Sequence, residues 1–398
     1  MKIGIVGNFD KEIKPNSQGG TEIFTYELSD QLAKSPDIES ITVFGVGKNY
    51  FNNPKITFVP VLPEERVEFT QDNKFLANLS RERPDFDAEL RFGIANKIVP
   101  ILLSSDFDLV HDNSTSLVFT SLSNLFPMPI LTTLHTNVLS PSVIIPYSLG
   151  LLDPKSKKQF FAAIAKHQEK FAKDNNINID IIQTIYNGLD ISYYSSNTQT
   201  LNNSYGLWLG RVKRKHDKGL KEAVMTAERA ESNLRIVAKI DDQEFFDTEI
   251  KPNMGKYCTI VPNPQTLSEK NDLYGQASYF IYPVQWEEPF GLVFVEAMAC
   301  GTPVIAFAKG AVPEVILDGK TGFVVNPSDD DIRGDWIIKK TGIEGLREAI
   351  EKIHSMPENE YLQMRKNCRE HVEKNFTIKR MAEEYENVYK KILSRSSR

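Results

Sequence analysis

The stretch WEEPFGLVFVEAMACGTPVIA, Trp286 to Ala306, is densely punctuated. Pro289 suits a first helical position, because the N–H it lacks is one that a helix start leaves unpaired anyway. Gly301 suits the position just past a helix end, and Pro303 prevents continuation. The punctuation predicts a helix from about Phe290 to Cys300, entered from a strand at Tyr279 to Tyr282 and followed by a strand at Val304 to Phe307. Strand, helix, strand is the repeating unit of a parallel α/β sheet. Free N–H groups near Phe290, Gly291 and Leu292 would make an anion site at the helix start, and Gly291 lets a ligand approach the backbone. Glu288 lies at that mouth and Glu296 almost two turns inside, about 12 Å apart along an axis rising roughly 1.5 Å per residue. A retaining glycoside hydrolase needs two carboxyls about 5 Å apart, so this spacing argues against one.

The same alternation extends outward in both directions. Upstream, strands are expected at Ile3–Val6, Ile41–Phe44, Ile56–Val59, Leu109–His111, Ile130–Leu134 and Ile179–Ile185, with helices at Thr21–Lys34, Ala88–Ser104 and Lys157–Lys173. A polar stretch, Ser195 to Ser204, reads as a linker. A second series follows, with strands at Leu207–Leu209, Leu234–Ala238, Cys258–Val261, Tyr279–Tyr282, Val304–Phe307 and Phe323–Val325. Met381, Tyr385, Val388 and Tyr389 make an apolar stripe at helical spacing near the end. The expected fold is α/β, with two Rossmann-like domains facing each other across a deep cleft. Their bounds are 1–186 and 187–376, and a closing helix at about 377–398 packs back on the first domain. Ligands of such sheets bind at the carboxyl ends of the strands.

Bulk properties narrow the function. The chain has 398 residues, 41% hydrophobic and 25% charged, as expected of a globular protein with two cores. Its formal net charge of −6 gives no general basic surface for nucleic acid or anionic lipid, so peripheral membrane contact is not indicated by charge. The start MKIGIVGN reads as a strand and glycine turn rather than a leader, and no segment is long and apolar enough to span a bilayer. Three scattered cysteines, Cys258, Cys300 and Cys368, have no metal-ligand spacing and fit a reducing, cytoplasmic compartment.

Further residues that carry chemistry stand at predicted strand ends. Gly210-Arg211 closes one strand and Lys218-Gly219 opens a helix, with Lys213 and Lys215 between them as alternative cations. Gly19-Gly20-Thr21-Glu22 follows the first strand, where glycine admits a ligand close to the backbone. This is not GxGxxG, and Gly319-Lys320-Thr321 lacks the earlier glycine of a Walker loop, so nicotinamide and kinase readings lose support. His111 and His135 occupy cleft-facing strand ends. Asp85-Phe-Asp87 and Asp106-Phe-Asp108 are formal candidates for an Asp-x-Asp metal motif, more simply explained as polar caps.

Glu288 and Glu296, with seven residues between them in EEPFGLVFVEAMACGTPVIA, resemble the signature of glycosyltransferase family 4. The resemblance is strong over about Leu207 to Pro327 and loose upstream. Asn187-Gly-Leu-Asp190 fits it with Tyr186 in place of proline, as does Gly310-Ala-Val-Pro-Glu314 with Ala311 in place of glycine. It implies a GT-B fold and a retaining hexosyl transfer, without a metal or other required cofactor, from a UDP- or GDP-sugar to a sugar, lipid-linked or small-molecule acceptor. By resemblance Glu296 would hold the ribose hydroxyls and Glu288 the donor sugar. Arg211, Lys218 and the amides at Phe290, Gly291, Leu292 and Val293 would hold the diphosphate. Gly19 and Gly20 would approach the donor phosphates and acceptor, with His135 beside the transferred sugar. The rival of another class is a scaffold subunit that has lost turnover.

Overall fold

A computed structural model describes the chain except residues 10, 16–18, 63–85, 138–139, 197–204, 216 and 397–398. The expected linker therefore lies largely outside the described residues, as does Asp85. The chain divides into two compact units, Met1–Gly188 with Ile378–Arg398, and Leu189–Thr377.

The first unit is built on strands β1 (Lys2–Val6), β2 (Ser40–Val46), β3 (Ile56–Leu62), β4 (Leu109–Asp112), β5 (Ile130–Leu134), β6 (Gln159–Ala163) and β7 (Ile181–Thr184). Their order is β3-β2-β1-β4-β5-β6-β7, and each pairing is parallel. Successive side chains of a strand face opposite ways, so the sheet feeds two cores. On one face Ile3, Ile5, Ile41, Val43, Leu109 and Leu131 pack with Phe24, Leu28 and Leu32 of helix α1 (Gly20–Leu32). On the other, Val6, Phe44, Val110 and Ile130 meet Ile94, Ile98 and Leu102 of α2 (Phe86–Ser104). The stripe Met381, Tyr385, Val388, Tyr389 and Ile392 is buried in the first of these cores, which places the closing helix on this unit. Each such side chain contributes about 1.5–3 kcal/mol on full burial.

Strand β6 corrects the expected helix at Lys157–Lys173. Residues 159–163 form a fully buried strand, and the helix, α3 (Lys166–Asp174), starts only after it. Phe160 and Phe161 enter cores on opposite faces. A strand buried on both faces reads as a continuous apolar run, which periodicity cannot tell from a helix, and the neighbouring β5 and β7 decide the matter.

The second unit repeats the plan with β8 (Gly206–Val212), β9 (Leu234–Ile240), β10 (Cys258–Ile260), β11 (Tyr279–Ile281), β12 (Val304–Phe307) and β13 (Gly322–Val325), in the parallel order β10-β9-β8-β11-β12-β13. Helices α4 (Leu220–Arg229), α5 (Leu267–Gly275) and α6 (Leu292–Ala299) follow β8, β10 and β11. In both sheets the order reverses at a central strand, where parallel sheets open for ligands.

Candidate active site

Helix α6 is shorter at its start than the punctuation suggests. It begins at Leu292, and Pro289 lies outside it. The N-cap is Gly291, in the left-handed region at φ 87°, where a Cβ would also lie 2.3 Å from the Phe294 ring. That conformation suits glycine and sets the helix start. The far end follows the sequence reading. Gly301, at φ 79°, donates its N–H to Met298 O at 2.9 Å, and Thr302 N–H reaches Ala297 O at 2.9 Å, the paired bonds of a Schellman cap.

The shorter helix changes the anion site. Phe290 is buried edge-on against Phe376, so its amide precedes the helix. The first-turn donors are at Leu292 and Val293, both partly exposed, because the Phe294 amide is used by Gly291 O at 2.9 Å. It also removes the basis for a 12 Å axial rise between Glu288 and Glu296, since residues 288–291 are not helical. The two carboxylates instead have separate partners and separate roles in the architecture.

Glu288, 8% exposed, accepts a hydrogen bond from Lys218 Nζ at 2.7 Å. Lys218 also lies 4.4 Å from the Trp286 ring centroid, a cation–π contact that covers its apolar stem. The lysine is placed by two constraints. Trp208 of β8 donates its Nε1–H to Lys218 O at 3.3 Å, and Gln285 N–H reaches Asp217 O at 3.0 Å. Gly219 caps α4 at φ +74°, its missing Cβ leaving room for Pro283 O, which would otherwise be 1.9 Å away. The loops after β8 and β11 are thus locked together. Arg211 pairs its Nε with Asp241 Oδ2 at 2.5 Å beside the end of β9. Lys213, half-buried next to Arg211, has its pKa lowered by burial and then by that cation. These cations and the first-turn amides of α6 are groups of the kind that an anion can draw on.

Glu296, 7% exposed, sits in a different setting. Lys270 Nζ donates to its Oε1 at 2.6 Å, Tyr194 OH to the same oxygen at 3.1 Å, and Tyr274 OH to Oε2 at 3.1 Å. Burial and the nearby carboxylate hold the Tyr274 phenol well above its ordinary pKa, so it remains a donor. Sequence reading missed Lys270 and Tyr274. The available signal was their i,i+4 spacing on α5, which puts both on one helix face.

The third loop of this unit packs onto the second. Gly310 N–H donates to Glu287 Oε2 at 2.7 Å and Ala311 N–H to Glu288 O at 2.8 Å. A Cβ at Gly310, φ +59°, would lie 2.2 Å from Glu288 O. Glu314 is in the short helix Val312–Val315 that follows.

In the first unit the two histidines part company. His111 is fully buried, with Nδ1 2.8 Å from Tyr389 OH and Nε2 2.7 Å from Thr133 Oγ1. Burial lowers its pKa to about 3, so it is a neutral, satisfied core residue tying β4 to β5 and the closing helix. His135 leaves the end of β5 partly exposed, Nε2 2.9 Å from the Asn113 amide oxygen and its ring edge-on to Phe24 at 4.6 Å. The oxygen can only accept, so Nε2 carries the proton and Nδ1 the lone pair. Burial lowers this pKa also. Gln168 of α3, with Nε2 donating to Leu134 O at 2.8 Å and Thr136 O at 2.9 Å, holds the strand end from which His135 projects. No sequence motif announced Asn113 or Gln168.

Gly19 is the N-cap of α1, and Gly20 its first residue. At Gly19, φ −116°, a Cβ would stand 1.8 Å from the carboxylate of Glu22, so any other residue would displace that carboxylate, itself buried and bonded to Asn8 Nδ2 at 3.1 Å. Asp106 and Asp108 serve the sheet edge, accepting from Lys2 Nζ at 2.6 Å and Lys2 N–H at 2.7 Å.

Comparison with known proteins bears on the fold and on the second unit. Residues 206–371, most of the second unit, match the family described as glycosyl transferases group 1. Among solved structures, the chain is similar over 99% of its length to 99% of sucrose-phosphate synthase from Thermosynechococcus elongatus, with a TM-score of 0.71 and 19% identity. It is similar over 98% of its length to 100% of the Anabaena protein HepE in complex with UDP-glucose, with a TM-score of 0.68 and 16% identity. Among curated sequences, it is 25% identical over 237 residues to the capsular polysaccharide biosynthesis glycosyltransferase CapM of Staphylococcus aureus, covering 57% of this chain and 55% of that protein. Alignments to such curated relatives cover between about a third and a little over half of their length. The two parallel α/β units therefore have the GT-B architecture of glycosyltransferases. Within it, residues 206–371, less than half of the chain, are similar to group 1 glycosyl transferases.

Proposed function

We propose that this chain is a retaining glycosyltransferase of family 4 that moves a sugar from a nucleoside diphosphate donor, a UDP- or GDP-sugar, to an acceptor hydroxyl without a metal. The observation that carries the reading is the second unit's strand-end site. There a buried carboxylate paired with Lys218, the first-turn amides of α6, and a second buried carboxylate among phenols and a lysine follow one another along the loop after β11 and the helix α6. Such a site offers cations and N–H dipoles to a diphosphate and acceptors to sugar hydroxyls.

In this reading Glu296 accepts from the ribose hydroxyls, exchanging bonds with Lys270 or Tyr194. The diphosphate draws on Arg211, Lys218 and the amides of Leu292 and Val293, while Glu288 faces the donor sugar. When the anomeric C–O bond breaks, its electron pair passes to the phosphate oxygen, where fixed cations and dipoles stabilise the new charge without reorganising. The acceptor oxygen forms its bond on the same face of the sugar, and its proton passes to the departing phosphate. His135, neutral with a lone pair on Nδ1, suits hydrogen bonding to a sugar hydroxyl. Gly19 and Gly20 keep their assignment to the phosphates and acceptor. Among the described residues no helix is long and apolar enough to cross a membrane, and we assign the chain to the cytoplasm.

The test is thermal stabilisation of the wild type and Glu296→Ala by UDP, GDP, ADP and their hexose conjugates without added metal. One nucleotide should stabilise the wild type selectively. Loss of a carboxylate that accepts charged hydrogen bonds should weaken its binding by about 1.5–3 kcal/mol, roughly ten- to a hundredfold. Absence of stabilisation by every nucleotide at millimolar concentration would remove the transferase reading.

A further inference from the structure

Between β13 and the helix α7 (Gly342–His354) runs the segment Asn326-Pro-Ser-Asp-Asp-Asp-Ile-Arg-Gly-Asp-Trp336, which no motif of the sequence analysis used. It is a built structure. Asn326, buried at the end of β13, accepts Arg333 N–H at 2.8 Å and Trp336 Nε1–H at 3.2 Å on Oδ1, and donates Nδ2–H to Gly334 O at 3.0 Å. One side chain thereby fixes the backbone at 333–334 and orients the arginine. Arg333 then bridges two carboxylates. Its Nε and Nη2 reach the two oxygens of Asp331 at 2.7 and 3.1 Å, and Nη1 lies 2.6 and 2.9 Å from the two oxygens of Glu287.

Glu287 connects this segment to the site. The carboxylate oxygen that accepts from Arg333 at 2.9 Å also accepts Gly310 N–H at 2.7 Å, and Ala311 N–H binds the backbone oxygen of the next residue, Glu288. Gly310 has no room for even a Cβ against Glu288, so the loops at 287–288 and 309–311 are packed directly on each other. Lys309 reinforces the junction, donating to Gln285 O at 3.3 Å with Asp331 3.8 Å away. Glu296 and its partners Lys270, Tyr274 and Tyr194 form no part of this junction.

We propose that Arg333 is a positioning residue for the sugar end of the donor site, acting through Glu287 to hold Glu288 and the Gly310 loop in the geometry that transfer requires. The assignment rests on the glycosyltransferase reading above. Its functional consequence is separation of the two ends of the site. Without the guanidinium, Glu287 loses the cation that fixes it, the Gly310 amide loses a fixed acceptor, and the Glu288 backbone is no longer braced. The nucleotide end around Glu296 keeps every bond described for it.

The experiment compares full-length wild type, Arg333→Met and Arg333→Lys. Wild type is first assayed with UDP-, GDP- and ADP-hexoses, and the donor that turns over is carried to the variants. Arg333→Met should lower donor kcat/KM about tenfold, while the Kd of the matching nucleoside diphosphate alone, measured by calorimetry, stays within about twofold. Arg333→Lys should recover part of the loss, and hydrogen exchange at the Gly310 amide should be faster in Arg333→Met than in the other two. Wild-type kcat/KM in Arg333→Met, or an equal loss of nucleoside diphosphate affinity, would overturn the assignment. Wild type that binds no nucleotide would instead remove the transferase reading and this assignment with it.

Discussion

The Lys218–Glu288 pair allows structural and functional roles to be measured apart. The side chains are only 19% and 10% exposed, so Lys218→Met leaves a buried carboxylate without its cation as well as ending the contact with Trp286. Breaking a buried pair from one side costs about 3–5 kcal/mol, and the lower end suits a pair at the edge of a loop cluster. At roughly 2–4 °C per kcal/mol for a domain of this size, the midpoint of the second unit should fall by about 6–12 °C. In the double variant Lys218→Met/Glu288→Gln, no charge is stranded, and most of that stability should return, giving a coupling energy of about 2 kcal/mol or more. Activity should not return, because neither the diphosphate cation nor the sugar-facing carboxylate is restored. Thermal unfolding and donor turnover on the four proteins complete the cycle. Additive stabilities would refute the buried-pair argument, and recovery of turnover in the double variant would refute the role of Lys218 in catalysis.

Buried titrations of opposite sign should shape stability against pH, among them His111 and Glu222. His111 has its folded pKa depressed to about 3 from 6.5, so the stability it permits is present above pH 6.5 and is lost as pH falls toward 3, by up to roughly 5 kcal/mol. Glu222 has its pKa raised by burial to about 7 from 4.5; its folded form holds the proton more tightly, and stability is lost as pH rises from 4.5 through 7, by up to roughly 3 kcal/mol. Glu222→Gln should reduce the alkaline slope without moving the acid side, with buried Asp112, its pKa raised to about 6, supplying what remains, as read by denaturant unfolding from pH 4 to 8; an unchanged alkaline slope would contradict the assignment. Gly219→Ala, which sets a methyl group 1.9 Å from Pro283 O at a positive φ, should destabilise the second unit by more than about 2 kcal/mol and weaken donor binding with it, and a wild-type melting temperature would count against the locked-loop description.

Much of the architecture was legible because parallel sheets announce themselves through short β-rich runs between helices. The limit shows at β6, where Gln159-Phe-Phe-Ala-Ala163 is buried on both faces and its apolar run fits either period. At α6, Pro289 and Gly291 compete as start signals, and the positive φ at Gly291 shows which of them the chain uses. For the site, Glu288, Glu296, Lys218 and His135 could be named because they stand in segments that resemble the motifs of glycosyltransferase family 4. Arg211 was named by the same logic, and the fold pairs it with Asp241.

What the sequence by itself determined was local: the alternation of elements, the Schellman end of α6 at Gly301, the loops that carry charge, and the stripe that buries the closing helix. What only the tertiary structure decided were partnerships between residues distant along the chain. These include Lys218 with Glu288, Lys270 and Tyr274 with Glu296, Arg333 with Glu287, His111 with Tyr389, and His135 with Asn113. The reason is physical. Periodicity and capping arise from bonds a few residues long, whereas a buried polar group takes its partner from whichever strand end or helix face the sheet order brings beside it.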